Sequence, residues 1–234
     1  MAAPEHTVID LLAASSMLRG LPREKIEQLA KYARVHRFGR GSVILRRGER
    51  GDSLALVISG RVKIAVVTVE ARDITFNFLG VGGMIGELAV FDGGERTADA
   101  IAMEDTEVLF LNRRDLLPVL KSHPDALIGI ICVLCEKLRH ASAIVEASSL
   151  VMSRRVAAAL LRLAQHHGRV VDGQTRIDLR LSQTELATYA GLSRENTNRQ
   201  LNDLRDRGLV SLDKQHLIIT DPTGLTELLE SEDE

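Results

Sequence analysis

The sequence predicts an α+β chain in three parts: a roll of short antiparallel strands, a long coupling helix, and a small helical domain closed by a β-hairpin. Three observations carry this expectation. Between Val35 and Leu111, short β-rich runs alternate with glycine-bearing turns, as in small sandwiches and barrels. After Pro124, apolar residues recur at alternating steps of four and three, the period of a helix packed along a seam. From Ser182 on, two short amphipathic helices separated by a glycine precede two strand-like runs. The expected divisions are 1–123, 124–150 and 151–234, and each outer part is long enough to bury a core.

Composition narrows the function classes. Hydrophobic residues make up 45% and charged residues 26%, ordinary proportions for a globular protein. A net charge of −2 argues against a chain that is basic throughout and leaves room for a local basic face. Glu5 and Asp10 lie in residues 1–20, and no run approaches the ~20 apolar residues that span a bilayer. A cytoplasmic protein is expected. Trp is absent and aromatics are 3%, too few for a platform that stacks single-stranded bases.

Residues 7–34 read as helices, one of them opened by Leu21-Pro22-Arg23-Glu24, with an inner stripe of Ile26, Leu29, Ala30 and Ala33. Strands are expected at Ser42–Leu45, Leu54–Ile58, Val62–Val69, Ile74–Leu79 and Val108–Leu111. Pro124 suits the first turn of the coupling helix. Its seam is Leu127, Ile131, Leu134, Leu138, Ala141, Val145 and Ser148, sustained enough for a two-stranded coiled coil and so for a homodimer. Ile128, Ile130, Val133 and Ile144 add apolar surface for a second face. Cys132 and Cys135 are too few for a disulfide framework. They are expected to be small buried thiols, with a redox sensor as the alternative. Ser153 is expected to cap a helix over Val156–Gln165 that Gly168 ends, and Arg176–Leu181 alternates like a strand.

The chemistry concentrates in two stretches. In the first, Gly86 is followed directly by Glu87, and ten positions on come Arg96, Thr97 and Ala98. Glycine lets backbone N–H groups approach a ligand, arginine offers a fork of donors to a phosphate, and a carboxylate accepts from sugar hydroxyls. The set suits a ligand with one anionic end and one hydroxyl end. It lacks a nucleophile–base pair or a metal-ligand cluster, so neither an enzyme nor a metal site is expected. In the second stretch, Ser182-Gln183-Thr184-Glu185 forms a capping box, Gly191 makes a turn, and Ser193 caps a second helix. Thr197, Leu201 and Leu204 face one way on that helix; Arg194, Glu195, Asn198, Arg199, Asn202 and Arg205 face the other. Gly208–Leu212 and His216–Ile219, joined through Asp213-Lys214-Gln215, read as the hairpin of a winged helix-turn-helix.

Together these motifs resemble the bacterial CRP/FNR superfamily of transcription regulators, and most of all its cyclic-AMP receptor branch. The resemblance rests on Gly86-Glu87-Leu88, on Arg96-Thr97-Ala98 and on Ser193-Arg194-Glu195-Asn196-Thr197-Asn198-Arg199. It implies a cyclic-nucleotide-binding β-roll (jelly-roll-like), a dimerisation helix and a winged helix-turn-helix. Glu87 would then hold the ribose 2′-hydroxyl, Arg96 and Thr97 the cyclic phosphate, and Gly86, Leu88 and Ala98 would shape the loop. Arg194, Glu195 and Arg199 would read bases of a TGTGA-type palindrome, with Gln183, Thr184 and Ser193 on phosphates and Asn198 on the same face. Implied partners are double-stranded DNA, a second copy and RNA polymerase. The family's purine-binding Thr-Ser pair falls on Ala141-Ser142, which lacks the Thr hydroxyl. Cyclic AMP is therefore the default effector, with cyclic GMP or no nucleotide open. The iron–sulfur branch, which carries cysteines near its N-terminus, is disfavoured because this chain has none there.

Overall fold

The structure, a computed structural model, describes residues 5–68, 73–213 and 216–230. Two compact units result, the first running to Ala141 and the second from Ser142, with Asp73–Thr75 grouped with the second.

The first unit opens with α1 (Glu5–Ala14), a 3-10 turn at Ser16–Leu18 and α2 (Arg23–Tyr32). Eight strands follow: β1 (Arg34–Phe38), β2 (Val43–Leu45), β3 (Ser53–Ser59), β4 (Val62–Val67), β5 (Asp73–Leu79), β6 (Met84–Ile85), β7 (Asp99–Ala102) and β8 (Thr106–Asn112). They form two sheets, ordered β1-β8-β3-β6 and β2-β7-β4-β5. β3 explains why its sequence is apolar without alternation. Ala55 and Val57 enter a core with Ile44, Val62, Ala100 and Ala102 of the other sheet, while Leu54, Leu56 and Ile58 join a core with Leu12, Ile26, Leu29 and Leu116 of the helices. A strand buried on both faces reads as a continuous apolar run. The end of expected strand Val62–Val69 lies outside the described residues. The short helix α3 (Glu87–Asp92) sits between β6 and β7, and α4 (Arg113–Lys121) follows β8.

Helix α5 (Pro124–Ser148) begins at the expected proline and turns Ala126, Ile130 and Val133 into the helical core, with Leu134 packed beside them. Leu134 therefore does not lie in an outward seam. The other residues of the expected seam, Leu127, Ile131, Leu138, Ala141, Val145 and Ser148, are exposed, as are Ile128, Cys135 and Ser142 beside them. Cys132 and Cys135 are exposed, which corrects the expectation of buried thiols: both project from the outward side of a helix whose inward side is filled by aliphatics. Among the described residues no single helix is long and apolar enough to cross a membrane.

In the second unit, α6 (Met152–His167) starts at N-cap Val151 and not at Ser153. Its buried Val156, Ala157, Leu160 and Leu163 recur at helical spacing and pack on α7 (Gln183–Ala190), α8 (Arg194–Asp206) and α9 (Pro222–Glu230). Four strands form a sheet ordered β11-β12-β10-β9: β9 (Gly168–Val171), β10 (Gln174–Ile177), β11 (Val210–Asp213) and β12 (His216–Ile219). The expected strand Arg176–Leu181 stops at Ile177, only its first two residues belonging to β10. The β11–β12 hairpin is the predicted wing, although Lys214 and Gln215 of its turn lie outside the described residues.

Candidate ligand cassette and DNA-reading face

The cassette is built by a turn that only glycine suits. Gly86 has φ +81° and caps α3, and a Cβ there would fall 2.4 Å from Arg96 Nη1 and 2.8 Å from Leu45 Cδ1. Through that gap the Arg96 guanidinium donates to the Gly86 carbonyl at 2.5 Å and to the Ser53 carbonyl. Arg96 is 7% exposed and Glu87 3%. Burial lowers the Arg96 pKa from its ordinary value, opposed by the negative charges of Asp52, Glu87 and Glu49. An arginine this basic stays charged at any physiological pH. Two opposite charges have thus been removed from water at one glycine turn, at a desolvation cost that surface positions would avoid.

The structure brings Gly86, Glu87 and Arg96 together. Leu88 and Thr97 are exposed, and Ala98 is half-buried just before β7. Ala141 and Ser142 are exposed on α5. One residue escaped the sequence reading. Lys137 on α5 places Nζ 2.8 Å from Glu87 Oε1, giving the buried carboxylate its counter-charge and tying the cassette to the long helix. Its signal was slight: a lysine four positions before Ala141, with Arg139 close behind it. His140, one turn on, meets the Phe76 carbonyl through Nε2 at 2.9 Å, a second tie from α5 to the roll.

The helix-turn-helix is set by its caps. Ser182 and Glu185 complete a reciprocal capping box on α7, and Ser193 Oγ accepts from Asn196 N at the head of α8. Between them Gly191 takes φ +68° and ends α7. Thr197, Leu201 and Leu204 are buried, so α8 is fixed by one face. Arg194, Glu195, Arg199 and Asn202 are exposed on the other, as are Gln183, Thr184 and Ser193, and Asn198 is half-buried. Arg194 and Asn198 both donate to Gln183 Oε1. Arg155 of α6 donates to the Ala147 and Ser148 carbonyls at the end of α5 and to the Gly191 carbonyl in the turn.

A strand roll with a buried Glu–Arg turn, a long helix and a winged helix-turn-helix define a ligand-binding module joined to a DNA-binding one. Comparisons with known proteins give that class its family. Residues 35–123 match the cyclic nucleotide-binding domain and residues 154–228 the Crp-like helix-turn-helix domain. The chain is 31% identical over 219 residues to the CRP-like cAMP-activated global transcriptional regulator of Mycobacterium tuberculosis, covering 92% of this chain and 97% of the relative. It is 33% identical over 202 residues to the cyclic AMP receptor protein of Thermus thermophilus, covering 86% and 90%. A solved structure of a CooA variant from Carboxydothermus hydrogenoformans shares the fold, with a TM-score of 0.73 at 23% identity over 85% of this chain and 88% of that one. The chain belongs to the CRP/FNR family of transcription regulators.

Proposed function

We propose that this protein is a homodimeric regulator whose operator binding is switched by a cyclic nucleotide. The observation that carries the reading is the pair of buried, oppositely charged side chains, Glu87 and Arg96, held at the Gly86 turn. A ribose hydroxyl and a cyclic phosphate are the ligand chemistry that such a pair would hold, with Thr97 beside the phosphate and Gly86, Leu88 and Ala98 forming the loop. Ala141 and Ser142 would face the purine. Cyclic AMP is the effector named for both relatives above and is the first choice here; the methyl of Ala141 gives no hydroxyl by which to prefer adenine, so cyclic GMP is the second. The exposed Leu127, Ile131, Leu138 and Val145 supply the surface for the second copy, and RNA polymerase is the further partner in this reading.

In the dimer, two α8 helices spaced one DNA turn apart, about 34 Å, would enter successive major grooves of a TGTGA-type palindrome. Arg194, Glu195 and Arg199 would touch base edges, and Thr184 and Ser193 phosphates. The ligand switches this arrangement only if it binds the competent form more tightly. A thermal-shift panel of cyclic AMP, cyclic GMP and the corresponding linear monophosphates tests the reading: stabilisation by a cyclic nucleotide alone supports it, and no shift with any of them contradicts it.

A further inference from the structure

We propose that Gln183 is a positioning residue for base recognition. Its role is to fix how Arg194 and Asn198 present themselves to DNA, in place of the phosphate contact expected for it; this rests on the reading of α8 as the recognition helix. One carboxamide oxygen gathers three donors: Arg194 Nε at 3.3 Å, Arg194 Nη2 at 3.2 Å and Asn198 Nδ2 at 2.9 Å. Arginine has no acceptor, so the Gln183 atom that faces it is the oxygen. That in turn obliges Asn198 to present its Nδ2 to Gln183 and its Oδ1 elsewhere.

The consequence is geometric. The side edge of the guanidinium, Nε and Nη2, is held by Gln183, which leaves the end edge, Nη1 with Nη2, as the bidentate fork for a guanine O6 and N7. Asn198 is left with an acceptor to meet an exocyclic amino group of cytosine or adenine. Without Gln183 the Arg194 side chain, exposed at the first position of α8, has several rotamers to choose from and loses that entropy only on binding. Pre-setting the fork therefore raises discrimination at one base pair and leaves sequence-independent attraction to phosphate largely alone.

The test uses the full-length protein with saturating cyclic AMP and a set of duplexes carrying each single base-pair change in a TGTGA-type half-site, read by fluorescence anisotropy at one salt concentration. Gln183→Met keeps length and removes the acceptor. It is expected to cut discrimination by about tenfold at the base pairs contacted by Arg194 and Asn198, with a smaller loss on scrambled DNA and an unchanged melting temperature. Gln183→Glu restores an acceptor and should recover the discrimination while weakening every duplex through its charge. Loss by the same factor on every duplex, or a Gln183→Met pattern identical to the parent's, overturns the proposal. Arg194→Ala separates the two levels of the argument: if it too leaves discrimination unchanged, the recognition-helix reading fails; if it alone flattens discrimination, only the role of Gln183 does.

Discussion

The cassette and the recognition helix use the same residue types in opposite ways. Glu87 and Arg96 are almost completely buried, whereas Glu195 and Arg199 stand exposed on α8. The cassette hides its charges under a glycine turn, with Lys137 balancing one of them, as the proposed enclosure of a small anion would require. DNA is too large to be enclosed. On α8 the donors stay in solvent behind the caps at Ser182 and Ser193 and, in the proposed reading, are aimed at DNA by Gln183. Substitutions should therefore cost stability and ligand affinity together in the cassette, and affinity or specificity with little stability on the outward face of α8.

The largest break in that contrast is expected from Arg96→Ala. It leaves the Gly86 and Ser53 carbonyls without their donor and would remove the proposed phosphate contact. Each charge-assisted bond is worth about 1.5–3 kcal/mol, so cyclic-AMP affinity by calorimetry should fall at least tenfold and the melting temperature should drop with it. Arg199→Ala should leave melting unchanged and reduce discrimination between a TGTGA-type site and scrambled DNA, by about 1–3 kcal/mol for one bidentate contact. Lys137→Met removes a cation that is itself partly exposed, so the loss of stability should be near 1 kcal/mol; its sharper effect should be weakened cyclic-AMP binding through the displaced Glu87. Gly191→Ala, at a site with φ +68° and open space around it, should cost about 1–2 kcal/mol from backbone strain alone.

The smallest effect is on pH. Burial raises the Tyr189 pKa above 10.0, opposed by Arg162. The folded state then holds a proton that the unfolded state has begun to lose, so this contribution is complete below about pH 10 and disappears as pH rises through the folded value. In Tyr189→Phe, denaturant titrations of the protein between pH 9 and pH 11 should show a shallower decline than in the parent.

Much of this was legible in the sequence because the signals were local. The capping box at Ser182, the Ser193 cap, the Gly191 turn and the run from Gly86 to Ala98 are each local patterns, and β3, β4 and β8 are apolar enough to declare themselves. What was missed depends on distant partners or on a local rule being overridden. β1, Arg-Val-His-Arg-Phe, is an edge strand with mostly exposed side chains, made a strand by pairing with β8. α4 carries Pro118 inside it, where a proline ordinarily argues against a helix; burial of Leu116, Val119 and Leu120 outweighs that cost. Six of the seven seam positions on α5 (Leu127, Ile131, Leu138, Ala141, Val145 and Ser148) are exposed, and Leu134 alone is drawn inward, because it packs beside the helical core. Lys137 is found only by folding the chain.

The central claim is that ligand and operator binding are two faces of one equilibrium. The direct measurement is the affinity of the full-length protein for a TGTGA-type palindrome with and without saturating cyclic AMP, at one salt concentration, together with the affinity for cyclic AMP with and without that DNA. The account predicts that the nucleotide tightens operator binding and that the operator tightens nucleotide binding by the same factor. Equal operator affinities in the presence and absence of bound nucleotide would contradict it.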